Sequence, residues 1–432
     1  MNSGLSTKNA PSASVVLPHY VYGAIAFLLA TIMMYFSAEN LSSAFIGPRI
    51  LGLTHMLVLG WVSIIIFGAL YQLIPVVMEV KLYSEKMTYV SFISLGLGNL
   101  LLVGGFWHHY TSPGLSVIVG GSLIVIGVLF FVANALLTAK TSSVKTTENN
   151  FIIASIFWLL ATVLFGLFIL LNNRFGFISI SPLNLLKAHA SIGLIGWFMM
   201  LVMGVASTLL PMFFIVHNLN KKFIRASFYA TNLGLGVFFV SVLFQLSFWI
   251  ISASAIAIFV GIFLFVRYNY DAYKRRLRKK LDIGMKLSVS SFLLLAVSIL
   301  SGIMVFVSPF LFPTMITAFS IVFGFSLLLG FFTALILGQM YKTLPFIVWL
   351  VRYQDKVGKF KTPLPADLYS EKAAHTHYYS FVLGAFLAII GILLSIPLII
   401  KIAAIAYIIA AIFFLYNTMK IILHKENLKP LK

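Results

Sequence analysis

Apolar segments of membrane-spanning length recur along the chain from Tyr20 to Leu423, and short polar stretches separate them. A helix needs roughly 20 apolar residues to cross the hydrocarbon core of a bilayer. The pattern therefore predicts an all-α integral membrane protein of about twelve transmembrane helices. The predicted spans, numbered in chain order, are 18–37, 50–75, 87–107, 113–138, 150–172, 185–215, 224–245, 248–267, 286–308, 312–348, 379–399 and 402–423.

Short polar segments flank this transmembrane domain, which we predict over residues 18–424. Residues 1–17 are rich in serine and carry one charged side chain, Lys8. They lack the basic start, short apolar core and cleavage site of a removable signal peptide, so we predict an N-terminal tail. Residues 425–432 are predicted to form a C-terminal tail.

The composition agrees with a protein solvated mainly by lipid. Hydrophobic residues make up 61% of the chain and charged residues only 9%, whereas soluble domains carry about 25% charged residues. The chain contains no cysteine. This excludes disulfides, thioether-linked c-type haem, iron–sulfur clusters held by cysteine and thiolate copper sites. A metal or haem would have to be held by histidine, methionine or tyrosine.

Lysine and arginine, which give the chain a formal net charge of +20, concentrate in the loops that follow even-numbered spans. The segment 267–286 is the most basic, whereas the loops after odd-numbered spans hold mainly Arg49, Arg174 and Lys401. Positive residues favour the cytoplasmic side of a membrane. We therefore predict a multi-pass protein of the cytoplasmic membrane with both termini in the cytoplasm. The expected partner of the charge is anionic lipid, not nucleic acid.

A sequence motif recurs in the second, sixth and tenth spans, which predicts three pseudo-symmetric four-helix units. The units cover about 18–138, 150–267 and 286–423. Each has an even number of spans, so all three would run in the same direction, related by rotation about the membrane normal. Glycines in such a motif permit close helix packing. The motif reads Gly60-Trp61, Gly68 and Pro75, then Gly196-Trp197, Gly204 and Pro211, then Gly330-Phe331, Gly338 and Pro345.

Ionisable residues narrow the classes of function. The ten carboxylates fall almost entirely in predicted loops, whereas proton pumps and ion-coupled transporters usually place such groups within the membrane. Two histidines, His55 and His189, lie inside the second and sixth spans. A neutral imidazole in a membrane can bind haem iron or copper, and the alternative is a hydrogen bond to a carbonyl or hydroxyl group. The matching positions of the third repeat are Phe323 and Phe325.

Four further histidines are weaker candidates for metal ligands. His108 and His109 follow the third span, where a histidine pair can hold copper or simply line the membrane interface. His375 and His377 lie at the beginning of the predicted eleventh span, where they could bind a metal or haem, or cap the helix. The remaining histidines, His19, His217 and His424, are expected at the interface.

The run His55-Met-Leu-Val-Leu-Gly60-Trp61, with Tyr71-Gln-Leu-Ile-Pro75 after it, resembles subunit I of the haem-copper oxidases, especially the cbb3-type and related members. The run from His189 to Pro211 has the same character. The resemblance implies twelve spans in three units, with His55 as a ligand of a low-spin haem and His189 near a copper position. Two sets of histidine ligands that the family carries have no counterpart in this sequence. The tenth span carries Phe323 and Phe325 in place of histidines, and Gln245–Ile251 contains no histidine.

The resemblance therefore predicts a haem-binding membrane subunit of a respiratory electron-transfer complex without a complete oxygen-reducing centre. We expect one or two b-type haems, with copper as a further candidate. Expected partners are other respiratory-complex subunits, including an extracytoplasmic cytochrome. Two alternatives stay open. One is a transporter or channel of a neutral solute that uses Asn99, Asn134, Asn232 and Gln339, and the other is a haem-free structural subunit.

Overall fold

The structure, a computed structural model, describes residues 9–108, 114–142, 146–277, 279–426 and 428–430. Within these ranges, twelve helices are long and apolar enough to cross a membrane. The predicted all-α membrane fold is therefore confirmed. Spans 1 to 12 are Ala13–Phe36, Pro48–Val76, Glu85–His108, Leu115–Lys140, Thr147–Phe175, Pro182–Phe214, Lys221–Leu243, Phe248–Lys274, Ile283–Leu311, Pro313–Lys356, Glu371–Leu393 and Pro397–Ile422.

The other regular elements are short, and two of the 3₁₀ turns form the two ends of span 10. A single helical turn covers Ala38–Leu41, and 3₁₀ turns cover Pro313–Met315, Gln354–Lys356 and Pro365–Leu368. Strand β1, Phe360–Lys361, pairs antiparallel with strand β2, Lys429–Pro430. These two strands fasten the C-terminal segment to the loop after span 10.

Capping side chains fix where several spans begin. The side chains of Thr146, Asn220, Asp282 and Ser370 accept hydrogen bonds from the first-turn N–H groups of spans 5, 7, 9 and 11. Such caps satisfy donors that have no partner within the helix. Gly176 caps the end of span 5, and its φ of 68° lies in the left-handed region that glycine adopts easily.

Three spans begin five or more residues earlier than the hydrophobic pattern predicted. Span 1 starts at Ala13 rather than 18. Span 11 starts at Glu371 rather than 379, because Ser370 caps it, and span 12 starts at Pro397 rather than 402. His375 and His377, which we predicted at the beginning of span 11, lie in its first two turns.

Spans 2, 6 and 10 each contain a π-helical segment, which the sequence pattern did not predict. The segments are Met56–Ser63, Ile192–Met199 and Ser326–Phe332. Each encloses the glycine–aromatic pair of the repeated motif, so the three copies share a local backbone geometry as well as a sequence. π-Helical turns are rare and often occur near functional sites.

The second glycine of each motif packs against the beginning of the preceding span. A Cβ atom added to Gly68 would lie 2.6 Å from His19 Cβ in span 1. A Cβ added to Gly204 would lie 2.8 Å from Phe151 Cβ in span 5, and one added to Gly338 would lie 2.5 Å from the Gly284 carbonyl oxygen in span 9. The packing role predicted for these glycines is confirmed.

The chain folds as two compact units. The first comprises Met1–Ala10, Leu73–Gly98 and Thr111–Lys280, and the second comprises Pro11–Gln72, Asn99–Tyr110 and Leu281–Lys432. The second unit therefore joins the two ends of the chain. These boundaries do not follow the three repeats, whose arrangement about a common axis stays a prediction.

Candidate functional site

His55 is the last α-helical residue of span 2 before the π-helical segment. Its Nδ1 atom donates a hydrogen bond to the Leu51 carbonyl oxygen at 2.8 Å. A carbonyl oxygen only accepts, so the proton of the neutral ring lies on Nδ1 and the lone pair lies on Nε2. A hydrogen bond from the second ring nitrogen is the usual way in which proteins orient a metal-binding histidine.

Aromatic side chains lead from His55 to the end of the helix bundle where the odd-numbered loops lie. The His55 ring centroid is 5.2 Å from that of Phe106 in span 3. The neighbouring Trp107 packs over Gly52, where an added Cβ would lie 3.5 Å from the indole. The Arg49 guanidinium lies 5.7 Å from the Trp107 ring centroid and donates to the Phe36 carbonyl oxygen at 3.0 Å. This arrangement places a fixed cation above the aromatic residues next to His55.

An ion pair on the same side of this unit involves Glu39 and Lys401. The Lys401 ammonium donates to Glu39 Oε1 at 2.6 Å. This contact, with a smaller contribution from the charge of Arg49, holds the pKa of the Glu39 carboxyl below its usual range. Glu39 is therefore a carboxylate at neutral pH, and it connects the loop after span 1 with the beginning of span 12.

His189 lies in the other compact unit and is half-buried in span 6. Its imidazole packs against Gly166 of span 5, where an added Cβ would lie 2.8 Å from Cε1 of the ring. Glycine at 166 is therefore the reason that the imidazole fits between these two helices. Span 6, like span 2, carries its candidate histidine shortly before the π-helical segment.

The three weaker histidine candidates that the structure describes, His108, His375 and His377, belong to no group of three or more metal-binding side chains. His108 is exposed at the end of span 3, and His109 lies outside the described residues. His375 is 3.8 Å from the Glu371 carboxylate. His377 is fully buried, and its Nδ1 atom lies 3.0 Å from the Tyr341 hydroxyl. The two histidines of span 11 therefore have different surroundings.

The sequence pattern did not predict the burial of two ionisable side chains. His19, expected at the interface, is 1% exposed, and its ring packs edge-on against Tyr71 at 5.6 Å between centroids. Glu148, expected in a loop, is 6% exposed and pairs with Lys221 at 3.0 Å. A sequence pattern related to the burial of His19 is nevertheless present. The spacing Gly-x-x-Tyr-x-x-x-Pro occurs in spans 2 and 10, and in both spans the tyrosine contacts a buried histidine.

The side chains fit a haem better than a copper centre. In the part of the chain that the structure describes, no group of three or more histidine, cysteine or carboxylate side chains could hold a metal ion. A centre with three histidine ligands therefore does not fit these residues. Haem iron needs only one or two axial protein ligands, and the oriented Nε2 of His55 suits that role.

The amides that could have lined a solute path connect helices instead. Asn99 donates to the Tyr22 hydroxyl at 3.3 Å, and Asn134 exchanges hydrogen bonds with the backbone of Ser84. Asn232 accepts from the Trp158 indole at 3.0 Å, and Gln339 donates to Ser288 at 3.0 Å. These contacts give the transport alternative no support.

Comparison with known proteins gives consistent results. The family model for cytochrome c and quinol oxidase polypeptide I matches residues 15–246, more than half of the chain. A solved haem-copper terminal oxidase dimer aligns with a TM-score of 0.60 at 10% identity, over 96% of this chain and 85% of that chain. At this identity the likeness concerns the fold. An uncharacterised protein of Aquifex aeolicus (strain VF5) is 28% identical over 342 residues, 77% of this chain and 81% of that protein.

Proposed function

Because the chain belongs to the cytochrome c and quinol oxidase polypeptide I family, we propose that it is a haem-binding membrane subunit of a respiratory electron-transfer complex. The observation that carries the proposal is the hydrogen bond from His55 Nδ1 to the Leu51 carbonyl oxygen. It presents Nε2 as the ligand atom at the start of the π-helical segment. A b-type haem supplies reversible one-electron transfer when it is bound.

The residues around His55 have separate roles in haem binding. The Leu51 carbonyl oxygen fixes the ring and raises its basicity as a ligand. Arg49, held over Trp107, offers a cation for haem propionates on the odd-loop side. Phe106 packs against the His55 ring on that side. His189 is the candidate ligand of a second haem in the other unit.

We further propose the orientation and the partner. The basic even-numbered loops and both termini lie in the cytoplasm, and the odd-numbered loops face away from it. Electrons would then reach His55 from the side on which Arg49 and Trp107 lie, where an extracytoplasmic cytochrome could dock. Oxygen reduction is not part of the proposal, because no three-ligand copper centre fits the described residues.

A reduced-minus-oxidised optical spectrum of the purified protein tests the function. We expect a b-type absorption band in the wild-type protein and its loss or reduction in His55→Ala. A further loss in His189→Ala would identify a second haem ligand. His217→Ala is the matched control, because His217 is exposed in the loop after span 6, and its spectrum should equal that of the wild type. Fully folded wild-type protein without haem would contradict the proposal.

A further inference from the structure

Spans 7 and 8 form a helical hairpin within the first compact unit. Ser227 Oγ donates to the Gly261 carbonyl oxygen at 2.7 Å. A Cβ atom added to Gly234 would lie 3.0 Å from Ala257 Cβ, so the two helices pack closely. Exposed side chains recur along span 8 every three or four residues, and this spacing places them on one face of the helix. This exposed face of span 8 comprises Ile256, Val260, Phe263, the half-exposed Arg267, Tyr270 and Lys274.

The exposed face of span 8 changes from apolar to basic at Arg267. Span 8 begins at Phe248. From there to Arg267 the helix rises about 28 Å, and the hydrocarbon core of a bilayer is about 30 Å thick. Trp249 and Tyr270, both exposed, are of the residue types that concentrate at the two membrane interfaces. Arg267 therefore lies near the depth of the lipid phosphates.

Two contacts hold the Arg267 guanidinium at this depth. Its Cζ atom lies 5.7 Å from the ring centroid of Phe223, in the first turn of span 7. Its Nη1 atom donates to Asp271 Oδ1 at 2.7 Å, and the side chain is 42% exposed. A guanidinium has five N–H donors, so this one contact leaves donors for phosphate oxygens. Charge that only sets the orientation of a chain needs no fixed position, whereas a held guanidinium suits the recognition of a phosphate.

The surroundings of Arg267 match both parts of a phospholipid. Lys222, next to Phe223 in the first turn of span 7, and Lys274, two turns after Arg267 on the same face, are exposed cations. The one carboxylate paired with Arg267 is that of Asp271, so the three cations keep a net positive charge. Towards the membrane interior, the exposed side chains of the hairpin include Leu233, Val237, Ile256, Val260 and Phe263. An anionic headgroup and acyl chains fit this sequence of surfaces.

We propose that Arg267, with Lys222 and Lys274, binds the phosphate of one anionic phospholipid, whose acyl chains lie along the exposed apolar side chains of spans 7 and 8. The inference goes beyond the general attraction of basic loops to anionic lipid, because it predicts a saturable site with one lipid per chain. It is independent of haem binding. Each basic residue near a membrane surface strengthens such binding about fivefold.

Native mass spectrometry of the purified protein in detergent, titrated with phosphatidylglycerol, tests the site. We expect the wild type to bind the first phosphatidylglycerol molecule more tightly than zwitterionic phosphatidylcholine. Arg267→Gln should weaken binding of phosphatidylglycerol about fivefold. The matched control is Lys359→Gln, which removes the same charge from the exposed loop after span 10, on the same side of the membrane. Its affinity should equal that of the wild type.

A double variant covers the case in which Arg267→Gln fails to fold because the contact with Phe223 is lost. Lys222→Gln with Lys274→Gln changes only exposed side chains, and we expect a loss of about fivefold for each substitution. Equal affinities in these variants and in Lys359→Gln would overturn the site, as would equal binding of the two lipids by the wild type. Displacement of the lipid by excess inorganic phosphate would also overturn it, because the site would then recognise the free anion.

Discussion

At the scale of single residues, the surroundings of His424 determine the protonation state of its imidazole. It follows span 12, and its Nε2 atom lies 2.7 Å from the Tyr353 hydroxyl. Partial burial, followed by the positive charges of Arg352 and Lys420, lowers the pKa of His424, although Glu426 opposes the shift. Neutral His424 is therefore the form that holds the C-terminal segment near the end of span 10.

The direction of this shift predicts how acid affects the segment. A histidine with a lowered pKa in the folded state stabilises the fold above its unfolded-state pKa of about 6.5, and this stabilisation is lost as the pH falls. We expect residues 420–426 to exchange amide hydrogens faster at pH 5 than at pH 7.5, after correction for intrinsic rates. His424→Gln keeps a polar side chain without the titration, and its protection should vary less with pH. Equal pH dependence in both proteins would contradict the role of His424.

The sequence made His55 a candidate ligand because an imidazole within an apolar segment stands out by composition. It did not identify the partners of the other histidines, because those partners come from distant parts of the chain. Asn417 donates to the Tyr341 hydroxyl at 3.4 Å, and that hydroxyl contacts His377. Span 12, span 10 and span 11 must pack together before this arrangement exists.

At the scale of elements, hydrophobicity predicted all twelve spans but not their internal geometry. The π-helical segments have the same apolar composition as the α-helical residues around them, so composition alone does not distinguish the two. The cap at Ser370 also explains why span 11 begins earlier than its hydrophobicity predicted. Span 11 begins at Ser370 and Glu371, and its first turns are polar enough to resemble a loop in the sequence.

Helix packing at the repeated glycines gives a prediction for span 10. Gly338→Ala would place Cβ 2.5 Å from the Gly284 carbonyl oxygen and 3.0 Å from the Ser288 backbone nitrogen. Backbone atoms cannot move aside easily, so we expect a loss of about 1–3 kcal/mol in unfolding free energy. Gly324→Ala is the control in the same span, because nothing lies within 4 Å of its added Cβ.

Gly324→Ala should be neutral or stabilise the protein by up to about 1 kcal/mol, since alanine favours the helix over glycine. Thermal unfolding of both variants in one detergent provides the measurement. A Gly338→Ala protein as stable as Gly324→Ala would show that spans 9 and 10 can separate without cost at this point.

At the scale of the whole molecule, the resemblance to subunit I of the haem-copper oxidases is confirmed by the family match and by the fold. The cbb3-type subgroup stays a prediction. The two compact units could not be predicted, because the sequence shows repeats of neighbouring spans. The second unit instead depends on contacts between the first two spans and the last four.

The absence of cysteine makes the predicted orientation directly measurable. Ser43→Cys adds one thiol to the exposed part of the loop after span 1, and Lys359→Cys adds one to the exposed loop after span 10. In intact cells, we expect a membrane-impermeant maleimide to label Ser43→Cys only. Lys359→Cys should react after permeabilisation. Wild-type protein, with no thiol, is the control, and the reverse labelling pattern would show that the orientation is inverted.

The second unit has a consequence for how the protein is made. The hydrogen bond between Trp61 and Thr333 joins residues 272 positions apart in the chain. At a synthesis rate of about 5–20 residues per second, roughly 15–55 seconds pass between the two residues at the ribosome. During that time spans 1 and 2 are already in the bilayer, with Trp61 and Phe27 lacking the helices that later cover them. The first part of this unit must therefore wait in the membrane, open to lipid or to an insertion chaperone, until the last part has been translated.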